Sequence, residues 1–264
     1  IDPLLTSPWA TDPADAFDAE LGSAVSSIGD LNGDGYDDFA IGAPGYGSDT
    51  GRVWITHGSA DGPANALNLD PDWEPTNVDQ DGANLGYAVA GAGDVNGDGY
   101  DDVLVGAPNF DGGASGEGRA FLYLGSVTGL ETTPGWSGDP TDQIDAGFGH
   151  AVTGVGDVDG DGYDDWAISA PRYANEGIAY LYLGAATVSG VTASWAVSPT
   201  GQTDALFGWA VAAVGDVDGD TRPDLAVSAP YYDGGTTDEG RAYLFLSNSG
   251  GVRNTTPDWT ADHT

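Results

Sequence analysis

Four nine-residue segments repeat one spacing of oxygen-bearing side chains. They are Asp30-Leu-Asn-Gly-Asp-Gly-Tyr-Asp-Asp38, Asp94-Val-Asn-Gly-Asp-Gly-Tyr-Asp-Asp102, Asp157-Val-Asp-Gly-Asp-Gly-Tyr-Asp-Asp165 and Asp216-Val-Asp-Gly-Asp-Thr-Arg-Pro-Asp224. Carboxylate or amide oxygens at positions 1, 3, 5 and 9 are the donors that a hard divalent cation takes. In such a turn the side chains at positions 1, 3 and 5 converge, and glycine at positions 4 and 6 allows backbone angles that a β-carbon opposes. The carbonyl of position 7 adds a ligand, and the carboxylate at position 9 closes the shell. The expected ligand sets are Asp30, Asn32, Asp34, Tyr36 and Asp38; Asp94, Asn96, Asp98, Tyr100 and Asp102; Asp157, Asp159, Asp161, Tyr163 and Asp165; and Asp216, Asp218, Asp220, Arg222 and Asp224. In each, the seventh residue contributes its carbonyl.

Calcium, about four ions per chain, fits these loops better than magnesium, because a flexible acidic loop does not impose the small octahedral shell that magnesium requires. An EF-hand is excluded at position 12, where a bidentate Glu is needed and Ile41, Val105, Ile168 and Val227 stand instead. Without a cation, three or four facing carboxylates raise one another's pKa, so removing the ion is expected to loosen the structure around each loop. The fourth loop departs from its siblings, with Thr221 and Pro223 replacing Gly and Asp.

The loops recur at offsets of 64, 63 and 59 residues, which marks a repeat architecture. Trp9, Trp73, Trp136, Trp195 and Trp259 keep the same period, giving repeat units of about 9–72, 73–135, 136–194 and 195–258 in one domain over 1–264, plus a duplicated terminal edge segment. Each unit carries a small-residue strand opened by an aromatic or Leu and Gly (Leu21-Gly22, Leu85-Gly86, Phe148-Gly149, Phe207-Gly208), then the acidic loop. A second strand follows, apolar throughout and ending in Ala-Pro, as in Val103-Leu-Val-Gly-Ala-Pro108. Continuous apolar strands are covered on both faces. After a variable loop comes a third strand such as Ala120-Phe-Leu-Tyr-Leu124, and a fourth around the Trp closes the unit. No 11-residue helical pattern is present. Short four-stranded antiparallel sheets at a 60-residue period predict an all-β chain built as propeller blades, with a stack of small β modules as the alternative.

The 264 residues hold 42 acidic side chains against six arginines and no lysine, a formal charge of -36 that opposes binding to nucleic acid or anionic membrane. Such acidity can also mark disorder or salt adaptation, but 40% hydrophobic content with 8 Trp and 12 Tyr in a regular register can bury a core. Cysteine is absent, so thiol chemistry and disulfides are excluded. No apolar run reaches the roughly 18 residues of a membrane span, so membrane insertion is not expected. Ile1 in place of a start methionine reads as a processed or excised chain.

Taken together, the Phe-Gly and Leu-Gly pairs, Gly42-Ala-Pro44 and Gly106-Ala-Pro108, their Ser-Ala-Pro variants at 169 and 228, and the acidic loop between them resemble the FG-GAP repeats of the integrin α-subunit propeller and its prokaryotic relatives. The resemblance implies a β-propeller whose calcium loops lie on one rim and stabilise the blades, while ligands meet the opposite face. Propellers of that family generally have seven blades, whereas this chain has four units. A fragment of a longer protein, a closed four-bladed ring and half of a two-chain eight-bladed ring, a homodimer, all satisfy that count.

Metal-assisted hydrolysis needs an open coordination position beside a base, and one closed loop repeated four times reads as structural instead, so no catalytic residue is expected. His57, His150 and His263 are scattered, and His150 reads as packing near an inner strand. The expected function is a calcium-stabilised extracellular or cell-surface binding or adhesion module recognising protein or carbohydrate, since millimolar extracellular calcium saturates weak oxygen-ligand modules. A structural module of a surface array is the rival. Variable loops at 45–50, 109–117, 172–176 and 231–239 carry Tyr46, Phe110, Tyr173, Tyr231 and Tyr232, which either form aromatic contacts or cap the blades. Arg52, Arg119 and Arg241 open third strands, but Ile178 replaces arginine in the third unit, so local packing explains them better than a ligand clamp.

Overall fold

The computed structural model describes residues 18–60, 73, 75, 78, 80–140, 142–252 and 254–262. Trp9 and His263 lie outside the described residues. Four antiparallel sheets follow in chain order, each a blade. The first comprises β1 (Ala24–Gly29), β2 (Asp38–Ala43) and β3 (Arg52–Thr56). The second comprises β4 (Ala88–Gly93), β5 (Asp102–Ala107), β6 (Arg119–Tyr123) and β7 (Trp136–Gly138). The third comprises β8 (Val152–Gly156), β9 (Asp165–Ala170), β10 (Ile178–Tyr182) and β11 (Trp195–Val197). The fourth comprises β12 (Val211–Ala213), β13 (Leu225–Ala229), β14 (Arg241–Phe245) and, after the short hairpin β15 (Ser247–Asn248) and β16 (Gly251–Val252), the edge strand β17 (Trp259–Asp262).

A blade therefore runs from its small-residue strand to the tryptophan that follows its third strand. Counting from Trp to Trp describes the period, while the hydrogen-bonded sheet takes Trp136, Trp195 and Trp259 as its own outermost strand. Small side chains on the first strands let blades approach: β1 packs on β4, β4 on β8 and β8 on β12. The core lies between blades. Ile28, Leu31 and Ile55 of the first blade meet Val103, Val105 and Tyr123 of the second. Leu104 and Leu122 meet Trp166 and Ile168 across the next junction, and Leu181 meets Leu225, Val227 and Phe245 across the third. Every residue of β5 and β9 is buried, as their unbroken apolar runs require.

The Phe-Gly and Leu-Gly pairs stand outside the strands that sequence assigned to them, because β1, β4, β8 and β12 begin two to four residues later. Leu85, Phe148 and Phe207 instead bridge in parallel to Gly51, Gly118 and Gly177 of the preceding blade, so they act as inter-blade links. Here the second-strand glycine has a steric reason. A β-carbon on Gly42 would collide with the carbonyl oxygen of Gly86, and one on Gly106 with that of Gly149. Just before the acidic loops, register shifts leave Ile28, Ala92 and Val155 unpaired and buried, a bulge that aims them into the junctions.

Candidate metal centres and the opposite rim

The acidic loops connect the first strand of each blade to the second, and the same hydrogen bonds shape all four. The position-1 carboxylate accepts from the backbone N–H of positions 5 and 6, at 3.0 and 2.8 Å for Asp30 and 3.0 and 2.9 Å for Asp216. The position-3 oxygen accepts from the position-5 N–H at 2.9–3.1 Å in every loop. The position-5 carboxylate accepts from the position-7 N–H at 3.0–3.1 Å. At position 9 the carboxylate is buried and clamps the loop to the chain beyond the third strand. Asp102 accepts from Val95 and Gly125 at 3.0 and 2.9 Å, and Asp165 accepts from Val158 and Gly184 at 2.8 and 2.7 Å.

Oxygens of Asp157, Asp159 and Asp165 lie within 4.8 Å of one another, and so do those of Asp216, Asp218 and Asp224. Those two sets could each hold a metal ion. Asp161 and Asp220, at position 5, stand outside these groups. Loops one and two carry Asn32 and Asn96 at position 3, each donating to the position-5 carboxylate at 3.3 and 2.9 Å. The atypical fourth loop keeps the geometry of the third, but Thr221 takes φ +78°, a left-handed angle its siblings fill with glycine. That costs on the order of 1–3 kcal/mol.

Burial pushes Asp102 and Asp165 up to about 7, against two backbone hydrogen bonds apiece, and the neighbouring loop carboxylates add to the rise. Asp159 is raised by burial and then by Asp161. The donor set fits a divalent oxygen-seeking cation. The oxygens already converge, the buried one is held by amides, and concentrated negative charge favours the protonated form where no positive charge offsets it. Beside the first loop, His57 Nδ1 lies 3.0 Å from Asp38 Oδ2.

Position 8, assigned no part in the ligand sets, reaches across blades. Asp101 accepts from the Asp30 N–H at 2.8 Å, and Asp164 from the Asp94 N–H at 3.0 Å. The fourth blade carries Pro223 there. Its Arg222 instead donates to the Val158 carbonyl at 3.3 Å. The signal for this link was the recurrent Tyr-Asp-Asp, whose first Asp had no other task.

Antiparallel pairing puts the variable loops, between second and third strands, on the rim opposite the acidic loops. There Tyr46 packs edge-on to Trp54, Phe110 to Phe121 and Tyr232 to Tyr243, with ring centroids 5.5, 6.1 and 6.4 Å apart. Tyr173 joins the junction core, and Tyr231 is exposed. These rings, Tyr231 apart, cap the blades. The arginines lie over them, Arg52 5.3 Å from the Tyr46 ring, Arg119 4.4 Å from Phe110 and Arg241 3.8 Å from Tyr232. Arg119 and Arg241 also pair with Asp139 and Asp262. A row that sequence reasoning missed crosses the starts of the first strands. His150 is buried between the half-exposed rings of Tyr87 and Trp209, with centroids 5.1 and 4.6 Å away. Burial, and then Arg172, lower His150 to about 4.

The FG-GAP repeat matches this chain at residues 21–56, 85–123, 148–182 and 207–245, each span running from the Phe-Gly or Leu-Gly pair into the third strand. The chain belongs to the FG-GAP repeat family. It is 34% identical to integrin alpha-PS2 of Drosophila melanogaster over 80% of its length, and 35% identical to integrin alpha-V of Gallus gallus over 83%. Integrin alpha-5 of Xenopus laevis is 30% identical over 88%. The chain spans only 15%, 21% and 22% of those three relatives. In fold alone it is similar to Sqt1 from Chaetomium thermophilum, with a TM-score of 0.50 at 14% identity, covering 90% of this chain and 46% of that one. With that membership, four FG-GAP blades in chain order form a β-propeller architecture, and among the described residues they show no closed ring.

Proposed function

We propose that this FG-GAP chain is a calcium-stabilised, non-enzymatic binding module of the adhesion type, working outside the cell or at its surface and recognising a protein. The observation that carries the calcium reading is the convergence of three carboxylate oxygens in the same place in two successive blades. Support for adhesion comes from integrin α relatives matching over four-fifths or more of the chain. The ligand sets are those of positions 1, 3, 5 and 9 with the position-7 carbonyl. The cation rim then braces the junctions, and the opposite rim, with Tyr87, Trp209 and Tyr231 exposed, is free to bind.

Calorimetry on chelated protein tests the metal sites: about four calcium-binding events, a raised thermal midpoint and release of protons at pH 6–7 from Asp102 and Asp165 are expected. Fewer than three events, or an unchanged midpoint, would undo the assignment. Binding is tested by surface plasmon resonance on extracellular-matrix proteins. Trp209→Ala is expected to weaken a captured protein about tenfold or more while leaving calcium binding intact. Capture of glycans instead would move the ligand class to carbohydrate.

A further inference from the structure

The first three acidic loops are not charged alike, and the difference coincides with a change in the blade that follows each. Loops one and two place Asn32 and Asn96 at position 3, so carboxylates stand only at positions 1, 5 and 9 of the ligand set. The third loop adds a further carboxylate, Asp159. Over the position-4 glycine of the first two loops lies a tyrosine ring of the next blade. A β-carbon on Gly33 would stand 2.9 Å from Tyr100 Cε1, and one on Gly97 would stand 2.7 Å from Tyr163 Cε1. At the third loop the guanidinium of Arg222 takes that place, so that a β-carbon on Gly160 would stand 2.8 Å from Cζ and 2.6 Å from Nη2. Nη1 of Arg222 donates to the carbonyl of Val158, the residue between Asp157 and Asp159, at 3.3 Å. That bond holds the positive charge against the loop.

Position 8 changes in step. Asp101 and Asp164 bring a carboxylate from the next blade to the first amide of loops one and two. At the third junction Pro223 fills that place, its Cγ 3.2 Å from where a β-carbon on Gly156 would stand. The following blade therefore adds a negative charge to each of the first two loops and a positive charge to the third, in a chain with only six arginines and no lysine. Burial and then Asp161 raise the Asp159 carboxyl, and the Arg222 charge works against that rise. Arg222 is half-buried, so solvent screens its charge less than that of an exposed arginine. Building on the calcium reading above, we infer that Arg222 is the resident counter-charge of the third acidic loop and sets that loop's cation affinity. In the empty loop the guanidinium offsets the carboxylate that Asp159 adds. A divalent ion entering the loop is repelled by it, so the third loop binds calcium more weakly than its own carboxylates alone would. Arg222 is not a ligand, since a guanidinium has no acceptor to offer a metal.

Calcium titration of the chelated protein, followed by the amide NMR resonances of Gly99 and Gly162 at position 6 of the second and third loops, reads the two sites separately. Arg222→Tyr installs the residue that the other three loops carry at position 7. It should raise the calcium affinity read at Gly162 by about threefold to tenfold, the scale of one screened charge acting on a divalent ion. The affinity read at Gly99 should stay as in the wild type. Arg222→Met, which keeps a long side chain without the charge, should act in the same direction. The gain should shrink as ionic strength rises from about 0.01 M to about 1 M, where the screening length falls from about 30 Å to about 3 Å. In an Asp159→Asn background Arg222→Tyr should gain less, because the carboxylate that the guanidinium offsets is gone. Affinity at Gly162 that is unchanged or lower in both neutral variants, while Gly99 titrates normally, overturns the inference and leaves the calcium reading standing. A gain that salt does not diminish also overturns it, since that marks packing and not charge. No calcium response at either glycine removes the calcium reading and the inference with it.

Discussion

Asp98 and Asp102 belong to one loop and carry different loads. Asp98 is exposed and accepts from the Tyr100 backbone amide and the Asn96 side-chain amide, whereas Asp102 is buried and accepts from the buried amides of Val95 and Gly125, of which Val95 also donates to the Gly93 carbonyl at 3.2 Å. Asp102→Ala should therefore cost about 1–3 kcal/mol even in chelator, the cost of orphaning the buried Gly125 amide. Asp98→Ala should cost less than about 1 kcal/mol in chelator, because its amide is exposed to water, and should lose most of the second loop's calcium response. Urea denaturation with and without calcium separates the two. His150 makes a pH prediction. Its folded pKa of about 4 lies below that of an unfolded histidine, near 6.5, so between those values the unfolded chain binds more protons. Its contribution is complete above about pH 6.5 and is lost as pH falls to about 4, a change of roughly 3 kcal/mol. His150→Phe should flatten the acid side of the stability profile relative to wild type by that amount.

At the scale of the element, the Phe-Gly and Gly-Ala-Pro motifs are two sides of one contact. The glycine of one blade's second strand lies against the backbone that precedes the next blade's first strand, and Gly86 and Gly149 in turn donate to Gly106 and Ser169 within their own sheets. Gly106→Ala places a methyl against the Gly149 carbonyl and should destabilise by about 1–3 kcal/mol, the cost of overpacking a close junction. Thermal melts of Gly106→Ala beside Ser169→Gly, which removes bulk from the equivalent place, would show whether the close approach sets the cost. A first strand read from its small residues was legible as a strand, but the Phe-Gly pair ahead of it was not legible as a link. Its partner, Gly118 for Phe148, sits 30 residues earlier on another sheet.

For the whole molecule, placing each core between neighbours makes the blades mutually dependent, so no sheet buries its apolar faces alone. The contacts that cover Leu31, Val95 and Val158 come from the next repeat. Acidic loops lie at these junctions as well. Cross-blade carboxylates such as Asp101 and Asp164, both raised chiefly by burial, bring further negative charge to a rim that a cation would relieve.

The period, the strand order within a blade and the donor types of the four loops were fixed by local sequence, because a nine-residue Asx-Gly turn and a run of alternating or continuous apolar residues encode themselves through nearby backbone geometry. Which oxygens converge, that position 8 serves a neighbouring blade, that the loop aromatics cap rather than protrude, and that Tyr87, His150 and Trp209 form one row were decided only by tertiary structure. The position-8 link and the row of Tyr87, His150 and Trp209 depend on the distance between residues about sixty to seventy apart. That distance is set by how blades pack, and no local pattern records it.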